Sequence, residues 1–154
     1  MKIVVDSNIV FSSILNTQSK LGQLLINGAR FFDFYSIGLL KDEILEHKNK
    51  IIKITGFTEI QFQKTYHLII DKIQFIDDIL LSDNDIYKAE ELVKDIDDND
   101  LLFVALNNHL HSVLWTGDKK LVNGLKNKKY TRLITTDELY QKYLDKEATE
   151  RIKI

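Results

Sequence analysis

The chain has no cysteine, no proline and only six glycines. Without cysteine there is no disulfide, no thiol nucleophile and no zinc–thiolate site. Without proline and with so little glycine there is no linker, low-complexity stretch or internal repeat, so 154 residues read as one domain able to bury its own core. No apolar run approaches the roughly 18 residues a membrane helix needs. The N-terminus opens directly on a predicted strand, not on the basic start, apolar stretch and small-residue site of a signal peptide. A cytoplasmic location with no membrane contact is expected. No glycine-rich phosphate loop occurs, and His47, His67, His109 and His111 lack metal-ligand spacing. An excess of basic charge is missing too. The formal net charge is −2, whereas a basic balance is the usual footprint of a nucleic-acid-binding domain.

Charge is nevertheless unevenly spread. From Asp77 to Asp100 there are ten acidic residues against Lys88 and Lys94, and from Lys119 to Arg132 six basic residues and no acidic one. This fits an acidic pocket beside a phosphate-attracting surface, and equally two solvated helix faces of opposite sign.

Hydrophobic spacing alternates between strand and helix. Ile3 to Val5 is too apolar for a half-exposed strand, so it should be buried on both faces. Further strands are predicted at Phe31–Ile37, Gln74–Ile76, Ser112–Trp115 and Thr131–Ile134. Helical spacing covers 9–15, 21–27, most of 38–54, 58–72, 82–94, 100–109, 118–125 and 135–144. Thr58 with Gln61 has capping-box spacing, and Glu46 with Lys50 that of a surface ion pair. Such alternation predicts an α/β fold, a three-layer α/β/α sandwich on a mainly parallel sheet of four or five strands. The expected domain is 1–144, followed by a charged tail over 145–154. Strand order does not follow from spacing.

Carboxylates recur where strands end. Val4-Val5-Asp6-Ser7-Asn8 ends an apolar run in Asp6, and Leu114-Trp115-Thr116-Gly117-Asp118 repeats the design. Each Asp can simply cap the next helix. Their equivalent places in two strand–helix units also put them at the rim where open α/β sheets bind ligands. Asp97-Asp98-Asn99-Asp100 precedes the apolar helix from Leu101, and three carboxylates in four residues exceed what capping needs. Spacing three apart can set Asp97 and Asp100 on one face, with Asp100 innermost. Glu43 falls among Leu39, Leu40 and Ile44, near the edge of a buried face, or is only a solvated helix residue. Carboxylates that converge repel one another unless a cation sits among them, which points to a hard divalent metal held by oxygen and to chemistry on phosphates.

At these residues the sequence resembles the PIN domain, the nuclease fold of VapC-like toxins and related ribonucleases. The matching segments are those at Asp6 and Asp118, Leu39-Leu40-Lys41-Asp42-Glu43-Ile44, and Asp97 through Leu106, in order over about residues 1 to 140. The resemblance implies Asp6, Glu43, Asp100 and Asp118 as the catalytic quartet. It implies Mg²⁺ or Mn²⁺ at Asp6, Asp100 and Asp118, and Asp97, Asn8 and Thr116 as auxiliaries. The implied substrate is single-stranded RNA, with Lys119 and Lys120 on its backbone. For a toxin of that type it further implies a cognate antitoxin and a homodimer. The cluster offers Asp97, Asp98 and Asp100 for what is often one key position. A haloacid-dehalogenase-like phosphatase would need a second Asp at position 8, which is Asn8 here. The alternative of another class is a PIN-like module that binds nucleic acid or protein without cutting.

Overall fold

Ile3, Val4 and Val5 are fully buried because β1 (Lys2–Val5) is the central strand of the sheet and is covered on both faces. The computed structural model describes residues 1–153. Around β1 stand β2 (Asp33–Ile37), β3 (Gln74–Ile76), β4 (Val113–Trp115) and β5 (Leu133–Ile134), in the order β3-β2-β1-β4-β5 with every pairing parallel. The α/β expectation holds, with five strands.

The chain builds outward from β1 through β2 to β3, then returns to the other side of β1 for β4 and β5. Parallel crossovers are right-handed, so this reversal sends the connecting helices to opposite faces. The first set is α1 (Ser7–Leu15), α2 (Lys20–Gly28), α3 (Leu39–Glu46), α4 (Lys48–Thr55) and α5 (Glu59–Ile70), where α1 packs on the other four. The second is α6 (Asp83–Val93), α7 (Leu101–Leu110) and α8 (Lys119–Asn127), where α7 lies on β1, β2 and β4, and α6 covers α7 and α8. The closing helix α9 (Thr136–Lys153) returns to pack on α2. Phe103 through Asn108 are all buried, as befits a helix held between a sheet and a second helix. Among the described residues no helix is long and apolar enough to cross a membrane.

Several local expectations shift. Phe31 and Phe32 are not in β2: their N–H groups both donate to the Gly28 carbonyl at 2.9 Å, forming a turn that places Phe32 against Phe34. The helical stretch over 38–54 divides at His47, which closes α3 and opens α4. Glu46 and Lys50, now on different helices, form no ion pair among the described residues, and the Lys50 ammonium lies 5.8 Å from the centre of the Phe11 ring instead. Helix α9 passes Leu144 and runs on to Lys153. Its last turns are rich in straight-chain charged residues, good helix formers, and Arg30 holds Glu147 at 3.5 Å and Glu150 at 3.1 Å. The capping box forms as expected, with Gln61 N–H donating to Thr58 and Thr58 N–H to Gln61.

Candidate active site

The direction of winding changes between β1 and β4, and the crevice beyond the carboxyl ends of two such strands is the usual ligand site of an open α/β sheet. Asp6 follows β1 there. Its N–H donates to the Trp115 carbonyl at 3.1 Å, extending the β1–β4 ladder by one residue and fixing Asp6 beside Thr116. Asp6 does cap α1, since Oδ1 accepts from Ser7 N–H at 2.8 Å. Its Oδ2 accepts the Thr116 hydroxyl at 2.6 Å and the Asn8 amide at 3.4 Å. The side chain is 3% exposed. Burial pushes its pKa up, the Thr116 and Ser7 hydrogen bonds pull it back, and Glu43 and Asp118 push it up again.

Asn8 ties the two strand ends together. Its Oδ1 accepts Gly117 N–H at 3.1 Å and its Nδ2 also reaches Thr116 Oγ1 at 3.3 Å. Thr116 Oγ1 in turn accepts Asp118 N–H at 3.1 Å. Asp118 caps α8 with Oδ1, which accepts from Lys120 N–H at 3.0 Å and Leu121 N–H at 3.2 Å, leaving Oδ2 outside the cap.

The acidic cluster divides its labour. Asp97 is exposed and caps the short 3-10 turn Asp98–Asp100 through Asn99 N–H at 3.0 Å. Asp98 is exposed as well. Asp100 starts α7 without capping it by its side chain, and is only 8% exposed. Its Oδ2 is buried and has no hydrogen-bond partner. Burial, then the carboxylates of Asp6, Asp118, Asp97 and Glu43, raise the Asp100 pKa to about 7. A buried carboxylate oxygen left without a donor carries a desolvation cost of kcal/mol size. Gly124 helps bring α8 to this turn, because a Cβ there would stand 2.4 Å from Ile96 Cδ1.

Glu43 is half-buried on α3 and acts electrostatically on both Asp6 and Asp100, as Asp118 does. Of the acidic residues singled out, Asp6, Glu43, Asp100 and Asp118 are therefore brought together, and Asp97 stands at the margin. Lys119 and Lys120 are exposed in the first turn of α8. Two of the histidines take other tasks: His109 pairs with Asp85 at 3.0 Å, and His111 with Arg132 at 3.2 Å. Trp115 is a core residue, fully buried, whose indole N–H donates to Thr136 at 3.0 Å.

The donor set suits a hard cation. Its open positions are carboxylate oxygens, and Asp100 Oδ2 lacks the positive partner that would offset its burial. Among the described residues no three His, Cys, Asp or Glu side chains already form a cage for a bare ion. Mg²⁺ tolerates that, since it usually keeps several waters and takes only one or two carboxylates directly.

Two grooves lie beside these carboxylates, each lined by a residue hydrogen-bonded to Asp6. One, of about 590 Å³, is lined by Asn8, Phe11, Glu43, Ile44, His47 and Asn99. Phe11 and His47 meet edge to face with ring centres 6.0 Å apart, and neither was marked by any motif or spacing. The other, of about 670 Å³, begins at Thr116 and Gly117 and follows α8 past Lys119 and Lys126. Lys126 stood out only as part of a basic run. Its spacing of seven from Lys119, about two helical turns, is the signal that could have found it.

The described arrangement has relatives. Over 88% of this chain and 97% of its own length, a chain in the crystal structure of VapBC2 from Rickettsia felis bound to a DNA fragment from their promoter has a similar fold, with a TM-score of 0.61 and 19% identity. No curated protein matches the sequence. The sequence pattern of the PIN domain, however, matches residues 4–153, nearly the whole chain. With a parallel sheet that turns back at β1 and acidic side chains gathered at that turn, this chain belongs to the PIN domain family.

Proposed function

We propose that this protein is a divalent-metal-dependent endoribonuclease that hydrolyses phosphodiester bonds of single-stranded RNA. The observation that carries the reading is the Asp100 carboxylate. Its Oδ2 is buried without a donor, and burial, followed by the charges of four other carboxylates, raises its pKa to about 7. A fold does not keep such a group for stability, but a cation would offset it.

Mg²⁺ or Mn²⁺ held by Asp6, Asp100 and Asp118 would supply Lewis-acid charge for the phosphate and make a water acidic enough to attack at neutral pH. The chain's own residues do the rest. Thr116 and Asn8 fix the orientation of Asp6 Oδ2 by hydrogen bonds, as supporting residues do for metal-ligating groups. The α8 cap fixes Asp118 through Oδ1 and leaves Oδ2 for the pocket. Glu43, half-buried on α3, would complete the metal's shell through water or take a proton from the attacking water. Asp97 holds the turn that presents Asp100. Lys119 and Lys120 bind the RNA backbone, contacts that position the strand without reading its sequence.

Labelled single-stranded RNA, incubated with the protein in Mg²⁺, Mn²⁺ or EDTA, is the direct test. Cleavage in metal, none in EDTA and none by Asp100→Asn is the expected result. RNA left whole in both metals, yet still bound, would replace the nuclease by a PIN-like binding module. The resemblance to VapC-like toxins extends the proposal to a toxin that acts as a homodimer and is restrained by a cognate antitoxin. It is tested by whether the product of a small neighbouring gene suppresses cleavage.

A further inference from the structure

The basic run from Lys119 to Arg132 is not one surface. Lys128 turns back to α6, where it pairs with Asp95 and donates to the Leu92 carbonyl at 2.8 Å. Arg132 donates to Asn108 at 3.0 Å and meets His111, both just before strands β5 and β4 and so at the strand ends opposite the carboxylates. Among the described residues Lys119, Lys120, Lys126 and Lys129 make no ion pair.

Lys119 and Lys126 line the same groove, which opens at Thr116 and Gly117 beside Asp6 and Asp118. Seven residues apart, they lie on one face of α8 at a separation of about 10 Å. That spans about three phosphates at the ~3.4 Å axial rise of a stacked strand. The opposite wall offers hydroxyls from Thr131 and Thr135. Its one carboxylate, Glu138, is engaged at the start of α9, where it accepts Thr135 N–H at 3.2 Å and its own N–H donates to Thr135 Oγ1 at 3.1 Å. The second groove, lined by Glu43, Glu46 and Phe11, has no such pair of free cations on one helix face.

We infer that the groove along α8 carries the single-stranded RNA away from the cleavage site, with Lys126 as the outer phosphate clamp about two turns from Lys119. The inference rests on the nuclease reading for its substrate and adds the path the strand takes and the residue that holds its far end. Lys126 binds without touching the reacting atoms, so its removal weakens substrate binding and leaves turnover intact.

The experiment measures anisotropy of labelled 12-nucleotide single-stranded RNA in EDTA, across a salt series, for the wild type, Lys126→Gln, Lys126→Glu and Lys142→Glu. Lys142 is an exposed lysine on α9 outside the groove. Lys126→Gln should weaken binding about fivefold and flatten the salt dependence by about 0.7 in log–log slope, one phosphate contact on a single strand. Lys126→Glu should weaken it more, and Lys142→Glu hardly at all. In Mg²⁺, KM should rise by the same factor with kcat retained, and a trinucleotide should lose far less affinity than the 12-mer. Equal losses from Lys126→Glu and Lys142→Glu, a loss independent of RNA length, or polyglutamate competing as well as RNA would overturn the path. If the wild type binds RNA but never cuts it, a Lys126-specific loss still upholds the groove while the nuclease reading falls.

Discussion

The turns that follow β1 and β4 are built from the same parts and do different work. Both end a central parallel strand in a carboxylate that caps the next helix, Asp6 for α1 and Asp118 for α8. Asp6 is buried and spends both oxygens inside the chain, on Ser7, Thr116 and Asn8. Asp118 is half-buried and spends one. Asp100 completes the series by capping nothing, because Asp97 caps its turn instead. Capping α8 thus occupies only one oxygen of Asp118. What separates Asp100 and Asp118 from Asp6 is a carboxylate oxygen left without a hydrogen bond.

The largest effects should come from removing that charge. Asp6→Asn, Asp100→Asn and Asp118→Asn each keep the side-chain shape, and each should cut RNA cleavage by more than about 100-fold, beyond the ~10- to 100-fold typical of groups that only support a metal ligand. Asp97→Asn, which keeps the cap, should cost less than tenfold. If Asp97→Asn and Asp100→Asn proved equally damaging in single-turnover assays, the division between the two would be lost. Thr116→Val and Asn8→Ala fall in the supporting class, at about 10- to 100-fold.

Stability should move the other way. Folded Asp100 has a pKa of about 7, above its ordinary value of 3.8, so its contribution to stability is fully present below about pH 4 and is lost as pH rises through 7. Burial of Asp6 acts in the same direction. In EDTA at pH 8, Asp100→Asn should therefore be more stable than the wild type by about 2 kcal/mol, or roughly 4–8 °C in Tm. Added Mg²⁺ should raise the wild-type Tm and leave that of the variant nearly unmoved. Thermal melts showing equal, pH-independent Tm values for both proteins in EDTA would remove the strain on which the site is argued.

The smallest contrast is the cap itself. Asp118→Ala should cost about 1 kcal/mol of stability, and Asp118→Asn almost none, because asparagine caps as well as aspartate. Chemical denaturation of the pair separates the cap from the charge, since both substitutions should abolish cleavage alike.

Much of this was readable in the chain. Ile3 to Val5 announced a strand buried on both faces, Thr58 with Gln61 a capped helix, and the repeat of Asp6 and Asp118 after apolar runs the rim of a parallel sheet. Local signals misled where a residue's role depends on what lies across from it. Phe31 looked like strand and is turn, and the charged residues after Leu144 looked like a tail and are helix. Glu46 and Lys50 looked like partners and are divided at His47.

The amino-acid order alone determined the alternation of strand and helix and the carboxylates that end β1 and β4, because periodicity and capping are properties of neighbours along the chain. Only the tertiary structure decided the strand order, the burial of Asp100 against the exposure of Asp97 and Asp98, and the separation of Lys119 and Lys126 from Lys128 and Arg132. Burial, an unmet hydrogen bond and the sign of a surrounding field depend on groups distant in sequence, and they exist only once the sheet has brought those groups together.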